Sequence, residues 1–137
     1  RYISVTGVQT CALPIFISIG YNGMPSGWTN ECEYEEEVLK PDLYFGTMAV
    51  KTGNLKSKPE VIHAEANAIA KLARSPESGL GATLFLTHSP CIDCAKQIYT
   101  AGIDTIFFAK RYRSDDGLEF LKKCNIKVIE WNTWETI

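Results

Sequence analysis

The second half of the chain alternates amphipathic stretches with short apolar runs, and this alternation restricts the folds that the chain can adopt. Its periodicity predicts helices over residues 61–74, 91–101 and 114–124, with Ser114 or Asp115 available to cap the last one. Apolar strands are predicted over residues 82–87, 104–109 and 126–131. Helices and continuous apolar strands in alternation indicate an α/β fold with parallel strands and crossover helices.

The bulk composition indicates one domain with a substantial core, because 45% of the 137 residues are hydrophobic. The net charge is −2, and the absence of a basic run argues against a nucleic-acid surface. No apolar run reaches the roughly 20 residues that span a bilayer, which predicts no membrane segment. We expect a cytoplasmic protein.

The first half begins with a predicted strand at residues 16–20, FISIG, which leads into the turn-rich loop YNGMPSG. Residues 29–59 are polar and contain an acidic patch, which consists of Glu31, Glu33, Glu35, Glu36 and Glu37. A connection of this length is unusual, so we interpret it as a functional insertion that carries a short helix. The acidic patch is interpreted as the solvated face of that helix.

Residues 1–15 do not fit this scheme, because they have no amphipathic period and Pro14 interrupts their only apolar run. Residues 5–15, VTGVQTCALPI, resemble the in-frame translation of a sequencing-library adapter. We therefore interpret residues 1–15 as a non-native or disordered segment, in which Cys11 has no role. Residues 16–137 are the predicted domain.

Cys91 and Cys94 lie three positions apart at a predicted helix start, so both sulfurs can face one point. A structural zinc site takes four protein ligands. Here only three candidates stand out, Cys91, Cys94 and one of two histidines, His63 or His88. Three protein ligands leave a position for water, which is the arrangement of a catalytic zinc site.

His63 and Glu65 lie two positions apart where an alanine-rich helix is predicted to begin. A carboxylate beside a metal-activated water, but not bound to the metal, can take a proton from that water and pass it to a substrate. H-x-E followed by P-C-x-x-C is the signature of zinc deaminases. His88, at the end of a predicted strand, is the weaker ligand candidate, and the alternative for the two cysteines is burial as small apolar side chains.

Three segments give residues 16–131 a resemblance to the cytidine deaminase-like superfamily, and within it to deoxycytidylate (dCMP) deaminases. They are GYNGMPSG at residues 20–27, HAEANAI at residues 63–69 and SPCIDCAKQIYTAGI at residues 89–103. The first points to dCMP deaminases and to close relatives such as late-competence deaminase-like proteins. The resemblance implies a three-layer α/β/α sandwich around a mixed five-stranded sheet, with the family's N-terminal helix and first strand missing from this chain.

The same resemblance implies a chemistry and a set of site residues. Zinc would be held by His63, Cys91 and Cys94, with Glu65 as the proton shuttle, and dCMP would be hydrolysed to dUMP and ammonia, feeding thymidylate synthesis. Such an enzyme is a hydrolase acting on the C–N bond of a cyclic amidine. Asn22 would contact the sugar, the backbone of Ala64 the base, and Tyr112 the substrate pocket, although Tyr112 also fits an exposed loop aromatic.

Family members of this type are commonly homo-oligomers, often hexamers, activated by dCTP and inhibited by dTTP with Mg²⁺. The resemblance implies an allosteric nucleotide loop, and an ordinary glycine-rich turn is the alternative. Its residues would be Tyr21, Asn22, Gly23, Ser26 and Gly27. The insertion offers Cys32 alone and no histidine, so one catalytic zinc is expected and no second zinc.

Three other functions remain open from the sequence. One is a related deaminase of guanine, a riboflavin precursor or tRNA adenosine, of which tRNA suits the acidic chain least. Another is a redox protein that uses Cys91 and Cys94 as a dithiol. The third is a zinc-binding interaction module without catalysis. The expected partner is a small nucleotide, with no nucleic acid and no membrane.

Overall fold

The computed structural model describes residues 2–5 and 16–131, in two compact units. Residues 22–62 form the smaller unit, and the described residues up to Tyr21 and from His63 onward form the larger one. In chain order the elements are β1 (Tyr2–Val5), β2 (Phe16–Ile19), β3 (Glu33–Asp42), β4 (Gly46–Ser57), α1 (Ala64–Ala73), β5 (Thr83–His88), α2 (Ile92–Thr100), β6 (Thr105–Lys110), α3 (Asp116–Lys123) and β7 (Lys127–Glu130).

The larger unit contains a five-stranded sheet in the order β2-β1-β5-β6-β7. The α/β fold is confirmed, and from α1 onward each predicted helix and strand is present with ends shifted by at most three residues. All four strand pairings are parallel, whereas the resemblance implied a mixed sheet. The crossovers through α2 and α3 explain the parallel direction of β5, β6 and β7.

The expectation that the first strand is missing is wrong for residues 2–5. β1 lies in the sheet between β2 and β5, and Ile3 is fully buried. The strand was overlooked because a short buried strand has no periodicity of its own to detect. Residues 6–15, including Cys11, lie outside the described residues, so the interpretation of that segment stays a prediction.

The core of the larger unit lies between the sheet and a layer of helices. α1 packs against α2, and α2 packs against α3. The sheet contributes buried side chains at alternate positions, including Leu84, Leu86, Ile106 and Phe108. The described residues thus form two of the three implied layers. None of the described helices has the length and apolarity of a membrane span.

The smaller unit is an antiparallel hairpin of β3 and β4, not the predicted short helix. Gly46, with a φ of 78°, closes the turn, and a carboxylate oxygen of Asp42 accepts the N–H groups of Tyr44 and Phe45. The acidic patch lies largely on β3, where Glu35 pairs with Lys51 and Glu36 with Lys56 across the strands. Cross-strand ion pairs therefore replace the expected solvated helix face.

Candidate zinc centre

The candidate ligands lie at the starts of two helices. His63 is the N-cap of α1 (φ −64°, ψ 149°), and Cys91 is the N-cap of α2 (φ −67°, ψ 168°). Neither side chain makes a capping hydrogen bond. His63 precedes the helix and has an extended backbone. The helical rotation that would direct the side chains of His63 and Glu65 to different faces therefore does not apply to it.

The ligand atoms have the spacing of a zinc site. Nδ1 of His63 lies 3.6 Å from Sγ of Cys91 and 3.4 Å from Sγ of Cys94. All three ligand atoms lie within 4.8 Å of one another. Tetrahedral zinc, with its usual Zn–N and Zn–S bond lengths, places such atoms about 3.6 Å apart. The two sulfurs and the ring nitrogen therefore fit zinc, and three ligands leave one position open.

His88 does not belong to this group. It ends β5, it is exposed, and the cluster found in the described part of the chain consists of His63, Cys91 and Cys94. Of the two histidines that the sequence left open, the geometry selects His63.

Glu65 lies in the first turn of α1 and is only 9% exposed. Burial raises the pKa of the Cys94 thiol, and the neighbouring Glu65 and Cys91, which also hydrogen-bond to it, raise the pKa further. Without a cation these groups favour the protonated thiol. A bound divalent cation would reverse that preference, as expected for thiolate ligands of zinc.

Two hydrogen bonds hold the middle and the last turn of α1 to the end of β2. The Ser18 hydroxyl donates to the carbonyl of Ala68 at 2.8 Å, and Nζ of Lys71 donates to the carbonyl of Ile19 at 2.8 Å. Gly20, which directly follows β2, lies so close to the first turn of the helix that an added Cβ would be 2.0 Å from the Ala64 carbonyl oxygen. Gly20 therefore lets the strand end pass against the helix turn that carries Glu65.

The segment before Cys91 is held from two other elements. Ser89 is 2% exposed; its N–H donates to the Lys110 carbonyl at 2.8 Å, and its hydroxyl accepts the Tyr112 N–H at 2.7 Å. In α3, a Cβ at Gly117 would lie 2.1 Å from the carbonyl oxygen of Pro90. The sequence analysis did not identify Ser89, Gly20 and Gly117 as residues that support the site. The one feature that could have indicated them is a glycine or serine close to a motif.

The predicted substrate residues are distributed over both units. Ala64 is buried at the start of α1, and Tyr112 is half-buried in the loop after β6. Asn22 belongs to the smaller unit. The substrate roles of all three stay predictions.

The residues of the predicted allosteric loop also divide between the units. Tyr21 is exposed at the end of the larger unit, where its carbonyl accepts an N–H of Asn67 at 3.1 Å. The smaller unit contains the remaining members, which are Asn22, Gly23, Ser26 and Gly27. Gly27, with a φ of 89°, lies in a turn closed by a hydrogen bond from the Trp28 N–H to the Pro25 carbonyl. This turn geometry is compatible with both interpretations of the loop.

A family sequence model shows which family this chain belongs to. The model of the cytidine and deoxycytidylate deaminase zinc-binding region matches residues 15–110. The chain belongs to this deaminase family. The matched range contains His63, Glu65, Cys91 and Cys94, and the family resemblance inferred from the sequence is thereby confirmed.

Several phage deaminases are similar to this family member. The deoxycytidylate deaminase of Enterobacteria phage T4 is 36% identical over 119 residues, which cover 70% of this chain and 62% of that enzyme. The T2 phage deoxycytidylate deaminase is 33% identical, covering 88% and 79%. The crystal structure of dCMP deaminase from cyanophage S-TIM5, in complex with dCMP and dUMP, has a TM-score of 0.63 and 38% identity, covering 82% and 70%. The chain thus spans less than two thirds of the T4 relative.

Proposed function

We propose that this chain is a zinc-dependent dCMP deaminase, a hydrolase that converts dCMP and water to dUMP and ammonia by breaking the C–N bond of a cyclic amidine. The observation that carries the proposal is the cluster of His63, Cys91 and Cys94 with buried Glu65 at its side. Three protein ligands and an adjacent carboxylate are the components of hydrolytic zinc chemistry. The names of the T4, T2 and S-TIM5 relatives support dCMP as the substrate.

In the proposed reaction the protein residues position the base and move protons. Zinc held by His63, Cys91 and Cys94 would supply hydroxide at neutral pH, because it lowers the pKa of a bound water to about 7. Glu65 would take one proton from the attacking water and deliver it to the ring nitrogen beside C4, and it would then carry a second proton from the new C4 hydroxyl to the departing amine. Addition of hydroxide at C4 and loss of ammonia leave the uracil ring of dUMP.

Burial suits Glu65 to this role. Water is largely excluded around a carboxylate that is only 9% exposed, so a proton that it accepts is passed to the substrate and not to bulk solvent. In the same proposal, the Ala64 backbone at the helix start holds the base, Tyr112 lines the pocket and Asn22 contacts the sugar.

The regulatory and assembly features remain part of the proposal. We propose a homo-oligomer, with a hexamer as the expected form, that responds to dCTP as activator and to dTTP with Mg²⁺ as inhibitor. The resemblance of the loop Tyr21, Asn22, Gly23, Ser26 and Gly27 to regulated enzymes supports it. The substrate chemistry also supports a cytoplasmic location and a place in nucleotide metabolism that feeds thymidylate synthesis.

The deciding experiment follows the absorbance change as cytosine becomes uracil, with dCMP and deoxycytidine in parallel, each with and without dCTP and Mg²⁺. Turnover of dCMP far above deoxycytidine supports the proposal. Turnover of deoxycytidine alone keeps the zinc chemistry and rejects the nucleotide substrate. If neither is converted, ammonia release from guanine and a riboflavin precursor tests the related deaminases, and zinc analysis tests the redox dithiol.

A further inference from the structure

The hairpin of β3 and β4 exposes large apolar side chains. In its turn, Leu43, Tyr44 and Phe45 are 97%, 88% and 81% exposed, and on its strands Leu39 and Leu55 are exposed as well. Neighbouring apolar side chains that are left in water to this extent are typical of an interaction surface.

The two strands of the hairpin also lack further strand neighbours within the described residues. β3 and β4 form a sheet of their own, and most of their side chains are exposed on both faces. A two-stranded hairpin by itself is only marginally stable in water, whereas a strand added along one edge supplies backbone hydrogen bonds and a wider apolar face. The hairpin is therefore suited to receive a strand from another chain.

The two edges of the hairpin differ in composition. β3 contains Pro41, which has no N–H to donate, and four glutamates, which are Glu33, Glu35, Glu36 and Glu37. Charge and proline on an edge both oppose the addition of a strand. From Gly46 to Lys51, β4 has the sequence GTMAVK, with no proline and with its one charge at the end. The edge of β4 is therefore the one that can accept a strand.

The β4 strand of a second copy is complementary to this edge. Two identical strands related by a two-fold axis run antiparallel, and each contact between them occurs twice. With Ala49 on the axis, Met48 of each copy lies opposite Val50 of the other. Residues directly opposite each other share a face of the sheet, and Val38 faces Val50 across the hairpin. The exposed side chains of Val38, Val50 and Met48 in both copies thus form one apolar stripe across four strands.

The same register also suits the charges and the turn. Lys51 of one copy falls opposite a threonine of the other, and no two like charges face each other from Asp42 to Lys56. Continued beyond Lys51, the register brings Leu43 of one copy alongside Leu55 of the other. Self-pairing of β4 therefore brings together two exposed leucines that are separated along a single hairpin.

We propose that two copies of this chain associate by antiparallel pairing of their β4 strands, with Ala49 on the two-fold axis. This inference assigns a surface to the homo-oligomer proposed above, and it does not depend on the deaminase activity. Because both copies use the same surface, the contact closes at two chains and does not propagate into a fibre.

The test uses Ala49, because in this register it faces its own copy. Ala49→Glu and Ala49→Lys each oppose two like charges, so we expect the mass of the zinc-loaded assembly in analytical ultracentrifugation to fall about two-fold. An equimolar mixture of the two variants sets glutamate against lysine and should restore the wild-type mass. Leu39→Glu is the matched control, since Leu39 faces Ala49 from the strand outside the interface. This variant should keep the wild-type mass.

Cross-linking gives a second measurement that needs no new charge. Facing residues have Cβ atoms about 5 Å apart, so a short bismaleimide should join two chains of Ala49→Cys. Wild type and Leu39→Cys should lack this product, because position 39 is separated from its own copy by both β4 strands.

A wild-type protein that sediments as a single chain or as an open-ended polymer overturns the inference. An unchanged mass in Ala49→Glu and Ala49→Lys, an equal loss in Leu39→Glu, or no recovery in the mixture overturns it as well. So does the absence of the cross-linked product in Ala49→Cys. None of these readouts requires turnover, so an inactive protein rejects the proposed function without affecting this test.

Discussion

Nδ1 of His63 lies 3.4 Å from Sγ of Cys94, although the two residues are 31 positions apart in the sequence. The starts of α1 and α2 create this proximity, which suits the two atoms to bind one zinc ion. We therefore expect Cys94→Ser or His63→Ala to lower the zinc affinity by at least about a hundred-fold, because orienting residues alone account for 10- to 100-fold. Zinc per chain after dialysis is the measurement.

Cys32→Ser provides the matched control for this loss. Cys32 lies in the smaller unit and outside the ligand cluster. The substitution should leave one zinc per chain. Loss of zinc in Cys32→Ser, or full retention in Cys94→Ser, would contradict the assignment of the ligands.

Glu65→Gln separates metal binding from proton transfer. The amide has nearly the shape of the carboxylate but cannot accept the proton, so turnover should fall by about 10²- to 10⁴-fold while zinc remains bound. Steady-state deamination rates and zinc analysis on the same sample measure both effects. Glu119→Gln, which changes an exposed carboxylate of α3, should keep the wild-type rate, and equal losses in the two variants would reject the role of Glu65.

Gly117→Ala tests the support of the segment before Cys91. The new Cβ would lie 2.1 Å from the Pro90 carbonyl oxygen, so either α3 or the Cys91 backbone must shift. We expect the free energy of unfolding to fall by about 1–3 kcal/mol, which is the usual cost of overpacking. Zinc affinity should fall by about 10- to 100-fold, because a displaced ligand binds poorly.

Chemical denaturation and a competitive zinc titration measure the two effects of Gly117→Ala. Gly23→Ala is the control, since its Cβ would find its nearest neighbour, Oδ1 of Asn30, at 3.6 Å. If both variants bind zinc as wild type does, the close approach of α3 has no bearing on the centre.

The stability of the hairpin turn should depend on pH through the ionisation of Asp42. The N–H groups of Tyr44 and Phe45 hold the pKa of this carboxyl below its ordinary value of 3.8. Because the pKa is lower in the folded protein, the stabilisation is present above 3.8 and is lost as the pH falls through the folded pKa. The amide proton shifts of Tyr44 and Phe45 should report a titration below 3.8, and one at or above that value would contradict the contact.

Asp42→Asn is the control for this titration. The asparagine side chain still offers an oxygen to the two N–H groups but does not ionise in this range. The variant should keep the turn and lose the pH-dependent change in both amide shifts.

The sequence predicted the parts of the fold in which local pattern and burial agree. From α1 onward, one side of each helix and strand faces the core, so periodicity located the elements within three residues. The candidate ligands could also be predicted from the sequence. His63 and Cys91 directly precede helices, and the residues that follow them in the sequence specify those helices.

Other features depend on contacts between distant parts of the chain. β3 and β4 are largely exposed on both faces, so no alternation of burial indicated strands, and a shift in strand register near Glu35 disturbs the pattern further. The close approaches at Gly20 and Gly117 involve residues that are remote in sequence. No local pattern encodes such distances, which explains why these supports were overlooked.

The two ends of the smaller unit are joined by one pair of residues. Gly23 and Ile62 exchange two backbone hydrogen bonds, Gly23 N–H to the Ile62 carbonyl at 3.2 Å and Ile62 N–H to the Gly23 carbonyl at 2.8 Å. The entropy of closing a loop grows only logarithmically with its length, so residues added or removed between these two points change the folding free energy little. An insertion or deletion within this hairpin should therefore leave the free energy of unfolding nearly unchanged, because the same two residues still join its ends.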